Sequence, residues 1–78
     1  MQQYIFIDQY KGQPRKLLIL TQQSRVEYRV FCESNFLGSI QVVTENDVVS
    51  WKSDYNMLKP IVSKIRSHIE TVEQKQSV

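Results

Sequence analysis

The run Leu17-Leu18-Ile19-Leu20 limits the folds open to this chain more than any other stretch. It is apolar at every position, and a β-strand sends successive side chains to opposite faces of its sheet. Both faces therefore ask for cover at this place. The chain has one good helical pattern, near its C-terminus, and a single helix covers a single face. What lies against the other face becomes the functional question.

Seventy-eight residues make one small domain, 1–78, with a single core. Hydrophobic residues at 41% and charged residues at 23% are the balance of a folded soluble chain, so disorder is not expected. A formal charge of +2 permits an acidic partner without arguing for one. Cys32 is the only cysteine, which excludes an intrachain disulfide framework. Met1 to Asp8 lacks the basic segment and the apolar length of a signal peptide. No stretch reaches the roughly 20 apolar residues of a membrane span. The expectation is a cytoplasmic, reduced, soluble domain.

Tyr4 to Asp8 reads as a first strand, rich in β-branched and aromatic residues. Gln9 to Pro14 holds Gly12 and Pro14 and reads as a turn. Arg15 to Thr21 is a second strand, with Gln22-Gln23 as a tight connection. Arg25 to Glu33 alternates most clearly, with Val26, Tyr28, Val30 and Cys32 on its inward side. Phe36 to Val43 is a fourth strand. A two-residue loop at Ser34-Asn35 sets Tyr28 opposite Gln41. A three-residue loop, Glu33-Ser34-Asn35, sets Cys32 opposite Phe36, Tyr28 opposite Ile40 and Val26 opposite Val42. The second choice matches apolar with apolar, and Asn35 tolerates the left-handed conformation it needs. Gly38 then faces Val30, leaving space for a bulky neighbour or marking a bulge. Glu45-Asn46-Asp47 is a polar turn before a short strand, Val48 to Lys52.

Leu58, Ile61, Val62, Ile65, Ile69 and Val72 fall within an arc of roughly 100°, the stripe of a helix lying on a sheet. Asp54 or Asn56 is the expected cap. Pro60 fits only a first turn, so the regular helix begins near Met57 or an earlier turn is kinked there. Residues 73–78 are polar and are expected to fray. The expected fold is α+β: an antiparallel meander of four to five strands with one C-terminal helix packed on one face.

With Gln22-Gln23 as a two-residue turn, Ile19 pairs with Val26 and Leu17 with Tyr28, all under the helix. The opposite face then carries Lys16, Leu18, Leu20, Arg25, Arg29 and Phe31, with Glu27 among them. Leu37, Ser39, Gln41 and Val43 continue it, and the first strand extends it by Tyr4 and Phe6 or by Ile5 and Ile7. This mixture of large apolar groups and basic residues is the candidate partner-binding face. Partial self-cover by a curled sheet is the plain alternative. A second copy or another protein is the favoured occupant. Single-stranded nucleic acid is the runner-up, with bases stacking on Phe31 and phosphates meeting Lys16, Arg25 and Arg29. Strands followed by one helix also resemble the Pur-type and Whirly-type single-strand binders in element order, although no motif carries that likeness.

Catalysis is the poorest hypothesis. His68 lies about 80° from the centre of the helix stripe and reads as a boundary residue. Cys32 points under the helix, where a thiol is usually an inert small hydrophobe, so a Cys32–His68 dyad is disfavoured. The carboxylates Asp8, Glu27, Glu33, Glu45, Asp47, Asp54, Glu70 and Glu73 are dispersed. Two glycines build no phosphate loop, and no spacing suits a metal. No cofactor is expected. Trp51, with Val49, reads as core rather than as a stacking platform.

Overall fold

Three of the four strand connections are two-residue turns in which both residues take positive φ, and this determines the shape of the sheet. They are Lys11-Gly12 (52° and 77°), Glu33-Ser34 (49° and 73°) and Asn46-Asp47 (51° and 64°). Turns of this hand match the right-handed twist of the strands they join. The computed structural model describes residues 1–76. It contains β1 (Gln2–Tyr10), β2 (Gln13–Thr21), β3 (Glu27–Cys32), β4 (Asn35–Glu45), β5 (Val48–Lys52), a 3₁₀ turn at Lys59–Ile61 and α1 (Val62–Gln76). The strands form one curled antiparallel sheet in the order β1-β2-β3-β4-β5, so the fold is the expected α+β meander with one C-terminal helix.

β1, β2 and β4 outrun their expected ends, β3 falls short of its own, and β5 has the expected bounds. β1 and β2 extend to the Lys11-Gly12 turn, and Pro14 sits inside β2 opposite Gln9. Pro14 is tolerated because β3 pairs with β2 only over Leu18–Thr21, so no ladder bond is lost on that side.

Two registers differ from expectation. Gln22-Gln23 is not a two-residue turn. The connection runs from Gln22 to Val26, with Arg25 at φ 55° and its N–H donating to the Gln22 carbonyl at 3.0 Å. Ile19 therefore pairs with Val30 and Thr21 with Tyr28. The slip is an even number of residues, so Leu17, Ile19, Tyr28 and Val30 keep their common face. Val26 does not join them and is 57% exposed.

The second difference lies between β3 and β4. Tyr28 faces Ile40 and Val30 faces Gly38, as expected, and the Val42 N–H donates to the Val26 carbonyl at 2.9 Å. The turn, however, is Glu33-Ser34, and a bulge between Val30 and Phe31 restores the register. Cys32 consequently faces Asn35, and Phe36 faces Phe31. The extra residue exchanges two side chains between faces: Phe36 turns outward, and Leu37 packs inward against the core.

The core lies between the sheet and α1. Leu17, Ile19, Val30, Ile40, Leu58, Ile65 and Ile69 are its fully buried side chains. The helix reaches both edges of the sheet. On β1, the Phe6 ring meets His68 at 5.2 Å. On β5, Trp51 stacks on Tyr28 at 4.8 Å and lies beneath the Arg66 guanidinium at 5.7 Å. Neither Asp54 nor Asn56 caps the helix. The Ser53 hydroxyl organises its approach instead, donating to the Ser39 carbonyl at 2.7 Å and accepting from the Tyr55 N–H at 3.1 Å. Pro60 occupies the 3₁₀ turn, where its missing N–H is not needed.

The C-terminal segment is more ordered than its polarity suggests. α1 continues to Gln76, and Glu73 accepts a hydrogen bond from the Tyr4 hydroxyl and pairs with Arg25 at 2.9 Å. The expected fraying at 77–78 lies outside the described residues.

Candidate open face of the sheet

The face opposite α1 is built from the residues that alternate with the core. Ile5 faces Leu18, Leu18 faces Phe31, and Phe31 faces Phe36, giving one apolar row across four strands. Its first member comes from an edge strand, which settles which β1 residues extend the face: Ile5 and Ile7, while Tyr4 and Phe6 turn toward the helix. Leu20 and Arg29 stand side by side in the next row.

Three rings cluster at the β4 end. Phe31 and Phe36 meet at 5.5 Å with tilted planes, and Phe36 meets Tyr55 edge-on at 5.8 Å. Phe36 is 50% and Tyr55 42% exposed, so the cluster presents apolar surface to solvent. Gly38 makes the arrangement feasible. Its φ is 149°, and a Cβ there would fall 2.4 Å from the Tyr55 Cγ. Only glycine accommodates both that backbone and that close approach.

Polar groups on this face are largely satisfied within it. Glu27 accepts from the Arg29 Nε at 3.2 Å and from the Gln41 Nε2 at 3.1 Å. Gln41 also donates to the Ser39 hydroxyl at 3.1 Å. Two shallow depressions flank the Glu27–Arg29–Phe31 ridge. One, of about 230 Å³, includes Leu20 and Val26 in its lining, and the other, of about 440 Å³, includes Phe36, Ser39 and Tyr55.

Of the residues expected here, Lys16, Leu18, Leu20, Arg29 and Phe31 share the face, with Leu18, Leu20 and Phe31 half-buried and Lys16 and Arg29 exposed. Arg25 does not. It lies in the β2–β3 connection, and its guanidinium reaches back to Glu73 on the helix side. The cause is the longer connection, which removes Arg25 from β3 and gives it a positive φ. Leu37 also leaves the face, whereas Phe36 and Tyr55 join it. The signal for Phe36 was weak, because Glu33-Ser34 lacks the Asn and Gly that usually mark such a turn. Gly38 was the trace of Tyr55.

The electrostatics of the helix side are structural. Tyr4, Glu73 and Arg25 tie β1, α1 and the β2–β3 connection together. Burial, reinforced by the Glu73 carboxylate, pushes the Tyr4 phenol up to about 12. Hydrogen bonds from Tyr4 and Arg25 hold Glu73 below the usual carboxylate range. Asp8 and Arg15 form a second tie, bidentate at 3.0 and 2.7 Å, on the same side. Cys32 packs at the margin of the core, and His68 lies against Phe6. No hydrogen bond joins Cys32 to His68, and no cluster of three metal-ligating side chains occurs among the described residues. No described helix is long and apolar enough to cross a membrane.

Compared with protein-family models, with curated proteins and with solved structures, the chain has no significant match in any of the three.

Proposed function

We propose that the chain is a non-enzymatic interaction module that seats a polypeptide partner on the sheet face opposite α1. The observation that supports this most is the row Ile5–Leu18–Phe31–Phe36, extended by Tyr55 and flanked by Leu20. An apolar centre with a polar margin is the usual build of a protein interface. The Glu27–Arg29–Gln41 network keeps the margin's polar groups paired before a partner arrives, so docking leaves few of them stranded.

One observation favours a second reading. Phe31, Phe36 and Tyr55 place three rings beside Arg29, and aromatic platforms with basic neighbours stack the bases of single strands. Against it, Arg25 faces the helix side and Arg29 is paired with Glu27, which leaves the field at the rings mild. The protein reading is therefore preferred.

A photoreactive phenylalanine at position 36, compared with one at the exposed helix position Ser67, tests both readings in cells. The first predicts polypeptide adducts from position 36 and none from position 67. Adducts with nucleic acid that weaken with added salt establish the second reading instead. No adduct from position 36, or equal adducts from both positions, contradicts the proposal.

A further inference from the structure

We propose that β1 pairs edge to edge with β1 of a second copy, antiparallel and in register about Phe6. This inference stands apart from the occupant of the open face, because it concerns the border of the sheet. In the order β1-β2-β3-β4-β5 the two end strands each leave one ladder unfilled. Folded proteins blunt such edges with short strands, charges, proline or bulges. β5 follows that practice: it has five residues and ends in Lys52. β1 does not. It has nine residues, an unbroken register with β2, and neither proline nor lysine. Its one charge, Asp8, is already neutralised by Arg15 at 2.7 Å.

The sequence of β1 is self-complementary about its centre. A twofold axis at Phe6 sets Ile5 against the partner's Ile7, Gln3 against the partner's Gln9, and Tyr4 against the partner's Asp8. Apolar meets apolar, amide meets amide, and no like charges oppose. Neighbouring registers lose this. An axis at Ile5 sets Ile7 against Gln3, and an axis at Ile7 sets Phe6 against Asp8. Both also shorten the ladder. Opposed residues on antiparallel strands share a face, so the two helices fall on one side and the two open faces become continuous. The row that runs Phe36, Phe31, Leu18, Ile5 then carries on into the second copy through the partner's Ile7. One strand edge buries less than a standard interface of roughly 1,200–2,000 Å², so association is expected to be weak, with a dissociation constant on the order of 100 μM.

Sedimentation equilibrium from roughly 10 μM to roughly 1 mM tests the pairing. The wild-type chain should pass from monomer to dimer within that range. Ile7 is 60% exposed and faces Lys16 across β1–β2, so Ile7→Glu preserves the fold through an ion pair. It should raise the dissociation constant roughly tenfold by replacing both Ile–Ile pairs. Phe36→Ser should leave it unchanged. In a Cys32→Ser background, Gln3→Cys with Gln9→Cys should oxidise to a covalent dimer. Gln3→Cys alone should not, since its two copies lie roughly 20 Å apart along the paired strands. A chain that stays monomeric throughout, a dimer indifferent to Ile7→Glu, or cross-linking through Gln3→Cys alone overturns the proposal. A dimer abolished by Phe36→Ser also overturns it, while supporting self-association through the open face.

Discussion

Leu17 and Ile19 are wholly buried beneath α1, whereas Leu18 and Leu20, their neighbours in the same strand, are only half-covered by side chains of their own face. The two faces have similar apolar content at this point, yet among the described residues only the helix side carries a second layer. The helix-side face is closed by packing and by long-range ties: Tyr4 to Glu73, Arg25 to Glu73, and Trp51 stacked on Tyr28. The open face has rings that touch one another and polar groups that satisfy one another, with no described residue laid across them. Folding stability belongs to the first face. The second contributes little to holding the first together, which is why it is the face proposed to bind.

The largest effects should come from the closed face. Ile65→Ala removes a fully buried side chain between helix and sheet, and should cost roughly 2–5 kcal/mol in urea unfolding. Gly38→Ala comes next, since it combines a disfavoured φ with a clash against Tyr55. A loss of roughly 1–3 kcal/mol is expected, and a change below a few tenths would show that Tyr55 moves aside freely. Tyr4→Phe should cost roughly 1–2 kcal/mol, because it removes a hydrogen bond to the Glu73 carboxylate while leaving that carboxylate its ion pair with Arg25.

The same tie sets a pH window. Glu73 titrates lower in the folded chain than in the unfolded one, so its contribution is present above the unfolded value near 4.5 and is lost as pH falls through the folded value. Tyr4 is raised to about 12, so stability declines as pH rises from about 10 toward 12. Thermal unfolding across pH should show a plateau between these limits, and Tyr4→Phe should flatten its alkaline shoulder. The smallest effects belong to the open face. Phe36→Ser should change unfolding free energy by no more than about 1 kcal/mol while weakening the photoadducts of a chain that carries the photoreactive phenylalanine at Tyr55 instead.

The architecture was legible where patterns were long and redundant. The alternation of β3 named Tyr28 and Val30, though not the exposed Val26, the stripe from Leu58 to Val72 named the helix side of the core, and an even slip between β2 and β3 left the shared faces intact. Legibility failed where one residue decides a face. Glu33-Ser34 adopts a turn usually built by Asn and Gly, and the bulge that follows sends Phe36 out and Leu37 in. Arg25 was lost for a related reason, because alternation in the sequence continues through residues that the chain uses as a loop. Tyr55 was not foreseen, since it follows β5 outside any periodic segment. Its position follows from the hydrogen bonds of Ser53 and the absence of a side chain at Gly38.

Leu17 and Leu18 offer the most direct test, being adjacent, identical in type and opposite in face. Alanine at each position, compared by urea unfolding under conditions where the chain is monomeric, measures what each face contributes to the fold. Leu17→Ala should lose roughly 2–5 kcal/mol and Leu18→Ala no more than about 1. Equal losses would mean that the open face is as much a part of the core as the face under the helix, and would contradict the division between folding and binding surfaces.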